Sequence, residues 1–270
     1  MSAPIVGGWK LSHQHDRALL PGEAPDRDVS LLLRAAPVPT EADATSHVVE
    51  VVNQLSLGSC TGNGVAGNIR AGQHLAGITL PPLVSRLWLY WLGRIYDHDT
   101  ANDDGAQIRN VVAGAVKYGL CPEAVWPYDI ATFRGPPPAE AWRAAFDFRI
   151  VPHKITSTGT GRIDDCKRAI ASGRLVTFGS AVSNDYCNNN FDPTKPLAPP
   201  AGSEIAGLHC ENLAAFKGDD FKVLNSWGSD WGDGGYATFS ADYLLDSNSG
   251  DFWVCDVVPN GPVVDVGGAT

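Results

Sequence analysis

With 270 residues, the chain is long enough for one large domain or two modest lobes around a substantial core. A hydrophobic content of 44% and a charged content of 19% describe an ordinary globular protein rather than a disordered or fibrous one. The formal net charge of -10 argues against a nucleic-acid partner, which calls for a basic face.

The N-terminal stretch "MSAPIVGGWKLSHQHDRALLPGEAP" has no basic leader followed by an apolar run. No segment approaches the ~18 uninterrupted apolar residues of a membrane span. The expectation is therefore no membrane partner and a cytoplasmic default, with export by another route left open. Residues 1–50 are rich in Pro, Ala and Asp, with a weak apolar run at 29–33, and are expected to form an extended arm packed on the domain. "HVVEVVN" is expected to form a short strand at its end.

The segment 60–76 is expected to be a helix carrying Val65, Ile69 and Leu75, although glycines at 62, 64, 67 and 72 interrupt it. Each glycine costs roughly 1 kcal/mol relative to alanine, so such a helix has to be held by burial close to other backbone. "SRLWLYWLGRIYD" places Leu87, Trp91 and Ile95 at helical spacing behind a Ser85 cap. After the polar loop "DHDTANDDG", "AQIRNVVAGAVKYG" forms an amphipathic helix stopped by Gly119. "CPEAVWPYD" and "FRGPPPAEAW" make a proline-punctuated connector. In the second half "RIDDCKRAIASG" is a short helix and "RLVTFGSAV" a buried strand. Beyond a long loop, "LHCENLAAF", "FKVLN", "YATFS" and "DFWVCDVV" are short strands joined by tight turns. Helices first and antiparallel strands second define an α+β protein with two lobes.

One thiol stands out. Cys60 follows a Gly-Ser pair at the start of the glycine-studded helix, with Gln54 six residues before it. Among seven histidines, His209 starts a strand whose hairpin partner ends in "KVLNSWGSDWG", which brings Asn225 level with it. An amide there can accept from one imidazole nitrogen and leave the other aimed at a thiol, the arrangement of nucleophile, base and orienter.

"NQLSLGSC", "LHC" and "NSWGSDWGDGGY", in that order, resemble the papain-like cysteine peptidases. "SRLWLYWLGR", "DDGAQIRNVV", "KYGLCPEAVWPYD" and "ADYLLDSNSGDFWV" are similar to bacterial members of that family, so the resemblance covers about residues 48–258. His209 and Asn225 follow Cys60 at close to the ~130–150 residues the family shows, stretched slightly by the long loop before His209.

The resemblance implies a papain-like two-lobe fold, with a helical N-terminal lobe at about 60–145 and an antiparallel, barrel-like β lobe at about 146–258. The active site lies in the cleft between them. Residues 1–47 are the arm, expected to cover part of the cleft as an autoinhibitory contact, and 259–270 form a tail. The resemblance also implies an endopeptidase acting on protein or peptide substrates through a thioester, with no cofactor and no metal. Cys60 would be the nucleophile, His209 the base and then the acid, Asn225 its orienter, and Gln54 an oxyanion donor beside the backbone amide of Cys60. Trp227 would cover the His209–Asn225 bond, and Asp104–Gly105–Ala106 would line the cleft edge. Gly105, Ala106, Leu208 and Trp227 are the expected substrate-binding residues. A helix N-terminus and an imidazolium would lower the thiol pKa from ~8.5 toward the acid range. The alternatives are an acyltransferase or transpeptidase using the same thioester, and a non-catalytic binding module of the same fold.

The chain departs from the family at several positions. Leu57 stands where the family has a disulfide-forming cysteine, Thr61 replaces a large aromatic, and Cys210, Glu211 and Asn212 interrupt a strand that is usually apolar. Glu211 falls on the same face as His209 and would need a partner if buried. Taken alone, Cys60 is read as a buried structural thiol; in register with Gln54, His209 and Asn225 it is read as catalytic. The other five cysteines are expected to be reduced packing thiols. "HQH" at 13–15 and the acidic runs 97–104 and 246–251 are expected to be solvated rather than metal-binding.

Overall fold

The computed structural model describes residues 8–10, 27–28, 37–78, 83–145 and 148–259, with backbone alone at 27–28, 148–149 and 258–259. Most of the arm, including the histidines at 13 and 15 and the run 29–33, lies outside the described residues, as does the tail beyond 259.

Three helices build the first lobe: α1 (Cys60–Leu75), α2 (Arg86–Tyr96) and α3 (Ile108–Tyr118). The glycines of α1 have the cause the sequence suggested. A Cβ on Gly62 would lie 2.7 Å from the carbonyl oxygen of Arg86, and one on Gly72 would lie 2.6 Å from that of Cys255. The helix gives up intrinsic propensity so that its backbone can press against α2 on one side and the sheet on the other. Helix α2 begins where the Ser85 hydroxyl accepts the Trp88 N–H at 3.1 Å, which satisfies one donor of the first turn. Helix α3 stops at Gly119, whose φ of 82° is accessible to glycine at little cost. The connector carries a further turn of helix, α4 (Ala139–Ala144), started by Pro138.

The second lobe is an eight-stranded sheet among the described residues. Its strands are β1 (Arg27–Asp28), β2 (Glu41–Asp43), β3 (Phe148–Lys154), β4 (Val176–Ser183), β5 (Ile205–Lys217), β6 (Asp220–Leu224), β7 (Tyr236–Ser240) and β8 (Gly250–Pro259). The order is β1-β3-β8-β4-β5-β6-β7, with β2 pairing on β5; every pairing is antiparallel except β1 with β3. Helix α5 (Thr160–Ala171) packs against β2 and β5. Strand β3 was not legible as a separate element. "HVVEVVN" corrects the other way, because it forms no strand. Its start is a 3-10 turn (Thr45–His47), and its end is an isolated bridge between Asn53 and Trp227. The Gln54 N–H to Ser226 carbonyl and Gly228 N–H to Val52 carbonyl bonds hold it, too few to propagate a ladder.

Each lobe has its own core. Val65, Ile69, Leu87, Trp88, Leu92 and Val111 are buried in the first, and Phe178, Leu213, Phe221, Val223 and Phe239 in the second. A buried polar chain joins them. Cys255 N–H donates to Asn68 Oδ1 (3.1 Å), Asn68 Nδ2 to Thr177 Oγ1 (2.9 Å), Thr177 Oγ1 to Asn212 Oδ1 (2.7 Å), and Asn212 Nδ2 to the Gly64 carbonyl (3.0 Å). Asn212, out of place in an apolar strand, is thus the residue that fastens β5 to α1 close behind Cys60. Such a bond is strong only when every member is satisfied, as here.

Candidate active site

The N-terminus of α1 meets β5 at the cleft, and the chemistry-bearing residues collect there in two halves. The thiol half is a network with few loose ends. Cys60 is the first residue of α1, where backbone N–H groups have no acceptor within the helix. Gln54 is fully buried; its Nε2 donates to the Leu57 carbonyl at 3.0 Å and its Oε1 accepts from Ser226 Oγ at 2.6 Å. An amide nitrogen has two hydrogens, so one N–H of Gln54 remains for another acceptor. Tyr128 ties this turn shut: its hydroxyl donates to the Gln54 carbonyl (2.8 Å) and meets Ser59 Oγ at 2.5 Å. Asp103 fixes the preceding turn, accepting the Gly58 N–H on both oxygens (2.9 and 3.1 Å) and the Tyr90 hydroxyl (2.6 Å). Sequence reasoning missed both groups. Asp103 lay in a loop expected to be solvated, and Tyr128 lay in a connector where only "WPYD" marked it.

The base half is different. His209 lies on β5, and Asn225 directly follows β6, its hairpin partner. His209 Nε2 and Asn225 Oδ1 are 2.8 Å apart, and the Ser226 N–H also donates to that oxygen at 2.6 Å. Because Oδ1 is an acceptor twice over, Nε2 must carry the proton, which leaves the lone pair of the neutral ring on Nδ1. Trp227 stacks on the imidazole, with centroids 4.4 Å apart and planes at 26°. His209 Nδ1, Asn225 Nδ2 and Trp227 Nε1 are buried without a hydrogen-bond partner.

Burial opposes the expected thiolate. Burial pushes the Cys60 thiol up to about 12; the backbone N–H groups of Cys210 and Thr61 oppose this and Glu211 adds to it. Burial likewise pulls His209 down to about 4, against the Asn225 hydrogen bond. Sulfur and imidazole are each fully buried, which disfavours charge on both. The amide of Cys210, next to His209 in β5, faces the sulfur and brings the two halves together.

Part of that burial comes from the chain's own N-terminal arm. Trp9 forms a parallel bridge with Ala106: the Ala106 N–H donates to the Gly8 carbonyl at 2.9 Å, and the Lys10 N–H donates to the Ala106 carbonyl at 3.0 Å. A Cβ on Gly8 would lie 2.3 Å from the Gly58 carbonyl oxygen and 2.9 Å from Cys60 Sγ, so only glycine passes this close to the thiol. Gly105, at φ 77°, backs directly onto Gly8. Of the expected substrate-binding residues, Gly105 and Ala106 therefore meet an extended segment of chain. Leu208 pairs with Ala181 on the β5 side, half-buried against the first core. Trp227 instead spends its faces on His209, Tyr186 and Trp231.

Glu211 does have its partner. It is buried and accepts a hydrogen bond from the Tyr186 hydroxyl, while burial pushes its carboxyl up to about 8. All six cysteines are free thiols. Among the described residues, no group of three or more His, Cys, Asp or Glu is placed to hold a metal, and no helix is long and apolar enough to cross a membrane.

A fold of a helical lobe against an antiparallel sheet, with Cys, His, Asn and Gln at their junction, defines a class of thiol hydrolase. No family model matches the sequence. The chain is 34% identical over 227 residues to the uncharacterized peptidase C1-like protein L477 of Acanthamoeba polyphaga mimivirus, covering 79% of this chain and 71% of that one. Xylellain, a cysteine protease from Xylella fastidiosa, superposes with a TM-score of 0.75 at 25% identity, covering 94% of this chain and 97% of its own. ProCathepsin B S9 from Trypanosoma congolense superposes at 0.68 with 14% identity, covering 95% and 87%. The chain belongs to the papain-like (C1) cysteine peptidases.

Proposed function

We propose that the chain hydrolyses peptide bonds through a thioester acyl-enzyme, with Cys60 as nucleophile, His209 as base and then acid, Asn225 as orienter and Gln54 as oxyanion donor. The observation that carries this reading is the His209 Nε2–Asn225 Oδ1 bond of 2.8 Å, which leaves the buried Nδ1 without a partner on the strand whose next amide faces the sulfur. Nδ1 takes the thiol proton as the sulfur attacks the substrate carbonyl. The oxygen, now negative, is met by the Cys60 N–H and the free N–H of Gln54. His209 returns the proton to the leaving amine, and water then releases the acyl group.

In the same reading, the arm holds the full chain latent. Gly8–Lys10 takes the strand position on Ala106 that an extended substrate needs, and with it in place sulfur and imidazole are buried, which disfavours charge on each. ProCathepsin B S9, one of the similar structures, is itself a proform. The Gly8 carbonyl accepts the Ala106 N–H, a hydrogen bond that attack at that carbonyl would have to give up.

The test is thiol labelling and turnover by the full chain. Gly8→Ala drives a methyl group into Gly58 and Cys60 and expels the arm. This variant is expected to hydrolyse peptides faster than the parent and to label at Cys60 with iodoacetamide at lower pH, because less burial lowers the thiol pKa. Cys60→Ala abolishes hydrolysis in either background; turnover that survives it refutes the assignment. Joined rather than cut peptides in the product mixture would assign acyl transfer instead.

A further inference from the structure

The turn that presents Gln54 does not hold itself. Leu55, the next residue, has φ 56°, in the left-handed region that residues carrying a Cβ rarely adopt. Its side chain is 51% exposed, so packing does little to offset that conformation. The Leu55 N–H donates to Asn53 Oδ1 at 2.8 Å, which closes the turn only on itself. Such a conformation persists where the surroundings over-determine it.

Arg86, the first residue of α2, supplies that hold from outside the turn. Its side chain is 13% exposed. Nη1 donates to the Asn53 carbonyl, on the residue before Gln54, and to Asn63 Oδ1, both at 3.3 Å. Asn63 Nδ2 donates in turn to the carbonyl of Ser59, the residue before Cys60, at 3.0 Å. The guanidinium also lies over the Tyr128 ring, 4.1 Å from its centroid, and the Tyr128 hydroxyl is the group that donates to the Gln54 carbonyl. One planar cation thus reaches Gln54 from two sides, through the carbonyl before it and through the ring beside it.

Glu123 fixes Arg86 and Tyr128 relative to one another. Its Oε1 accepts from Arg86 Nη2 (3.2 Å) and from the Tyr128 N–H (3.0 Å), and its Oε2 accepts from the Arg86 N–H (3.0 Å) and from Arg70 Nη2 (3.1 Å). A rigid fork of donors can serve Asn53, Asn63 and Glu123 while its face covers the ring; the point charge of an ammonium cannot.

We infer that Arg86 is a positioning residue for the oxyanion donor, aiming the Gln54 amide through Asn53 and Tyr128 rather than acting on substrate. The inference rests on the proposed peptidase reaction and adds to it a residue that carries none of its bond-making steps.

The experiment is a double-substitution cycle in the full chain opened by Gly8→Ala, pairing Arg86→Met with Gln54→Ala. Arg86→Lys takes the place of Arg86→Met should that variant fail to fold. Arg70 keeps Glu123 paired in both variants. Arg86→Met is expected to lower kcat about tenfold with KM changed by less than about twofold, as for an interaction gained only in the transition state. With Gln54→Ala already present, it is expected to lower kcat by less than about twofold, because the group it aims is gone. A merely structural role would cost the same factor in both backgrounds, and that equal loss overturns the inference. A second readout needs no turnover. The side-chain NH2 signals of Gln54, identified by their loss in Gln54→Ala, are followed by NMR in the opened chain carrying Cys60→Ala. Arg86→Met is expected to shift or broaden them while leaving those of Gln107 in place. Unmoved Gln54 signals overturn the inference even if no variant hydrolyses a peptide, whereas absent turnover with moved signals strikes only the peptidase reading.

Discussion

The two halves of the cleft are built on opposite principles. Around the thiol, Gln54, Ser59, Tyr128, Asp103 and Tyr90 exchange hydrogen bonds that fix the turn before α1. Around the imidazole, three polar atoms are buried with no partner, those of His209 Nδ1, Asn225 Nδ2 and Trp227 Nε1. A group that must stabilise a charge wants donors preorganised, so that nothing reorganises when the charge appears. In the proposed reaction the imidazole accepts and returns a proton, which needs a site left open for it. The cost of that opening, about 1–3 kcal/mol for each unsatisfied buried group, is met by the packing of Trp227, Tyr186 and Trp231 beside it.

Substitutions can break this contrast one half at a time, measured in the full chain opened by Gly8→Ala. The largest effect is expected from Gln54→Ala, which removes a donor and the bonds to Leu57 and Ser226. It should lower kcat by about 10²–10³-fold, read by steady-state kinetics. Tyr128→Phe leaves the donor present but unties the turn. It should cost about 1–3 kcal/mol of stability in urea melts and roughly tenfold or less in kcat. An effect on kcat as large as that of Gln54→Ala would mean the turn, rather than the donor, limits the reaction.

The smallest effect on turnover is expected from Glu211→Gln, on the base side, where pH is the sharper readout. The folded carboxyl has its pKa raised from 4.5 to about 8. The folded chain therefore keeps a proton that the unfolded chain loses between those values. Its contribution to stability is full below about pH 4.5, declines as pH rises and is lost above about 8. Tyr186, Cys187 and Tyr243 face the same carboxyl, each with its own pKa raised first by burial, so they stay protonated across that window. Glu211→Gln should remove this decline, so that urea midpoints at pH 5 and pH 8.5 differ less than in the parent. An unchanged difference would assign the decline to another group.

Much of the fold was legible because its signals are local. The periodicities of α2 and α3, the glycine stop at 119 and the short strands from 205 onward depend on side chains close in sequence. The hairpin of β5 and β6 also made the His209–Asn225 pairing readable, since a short turn fixes which residues oppose. "HVVEVVN" misled because an apolar run states a preference for burial, and a strand needs a neighbour to pair with along its length.

By itself, the sequence carried the resemblance to the family, the helices of the first lobe, the strands from 205 onward and the four candidate residues for the cleft, since motif spacing and period survive without coordinates. Only the tertiary structure decided that burial disfavours charge on Cys60 and His209, that Glu211 finds Tyr186, that Asn212 joins the lobes and that Trp9 lies on Gly179. Each of these depends on what burial removes from water and on contacts between residues far apart in the chain, and a linear pattern carries neither.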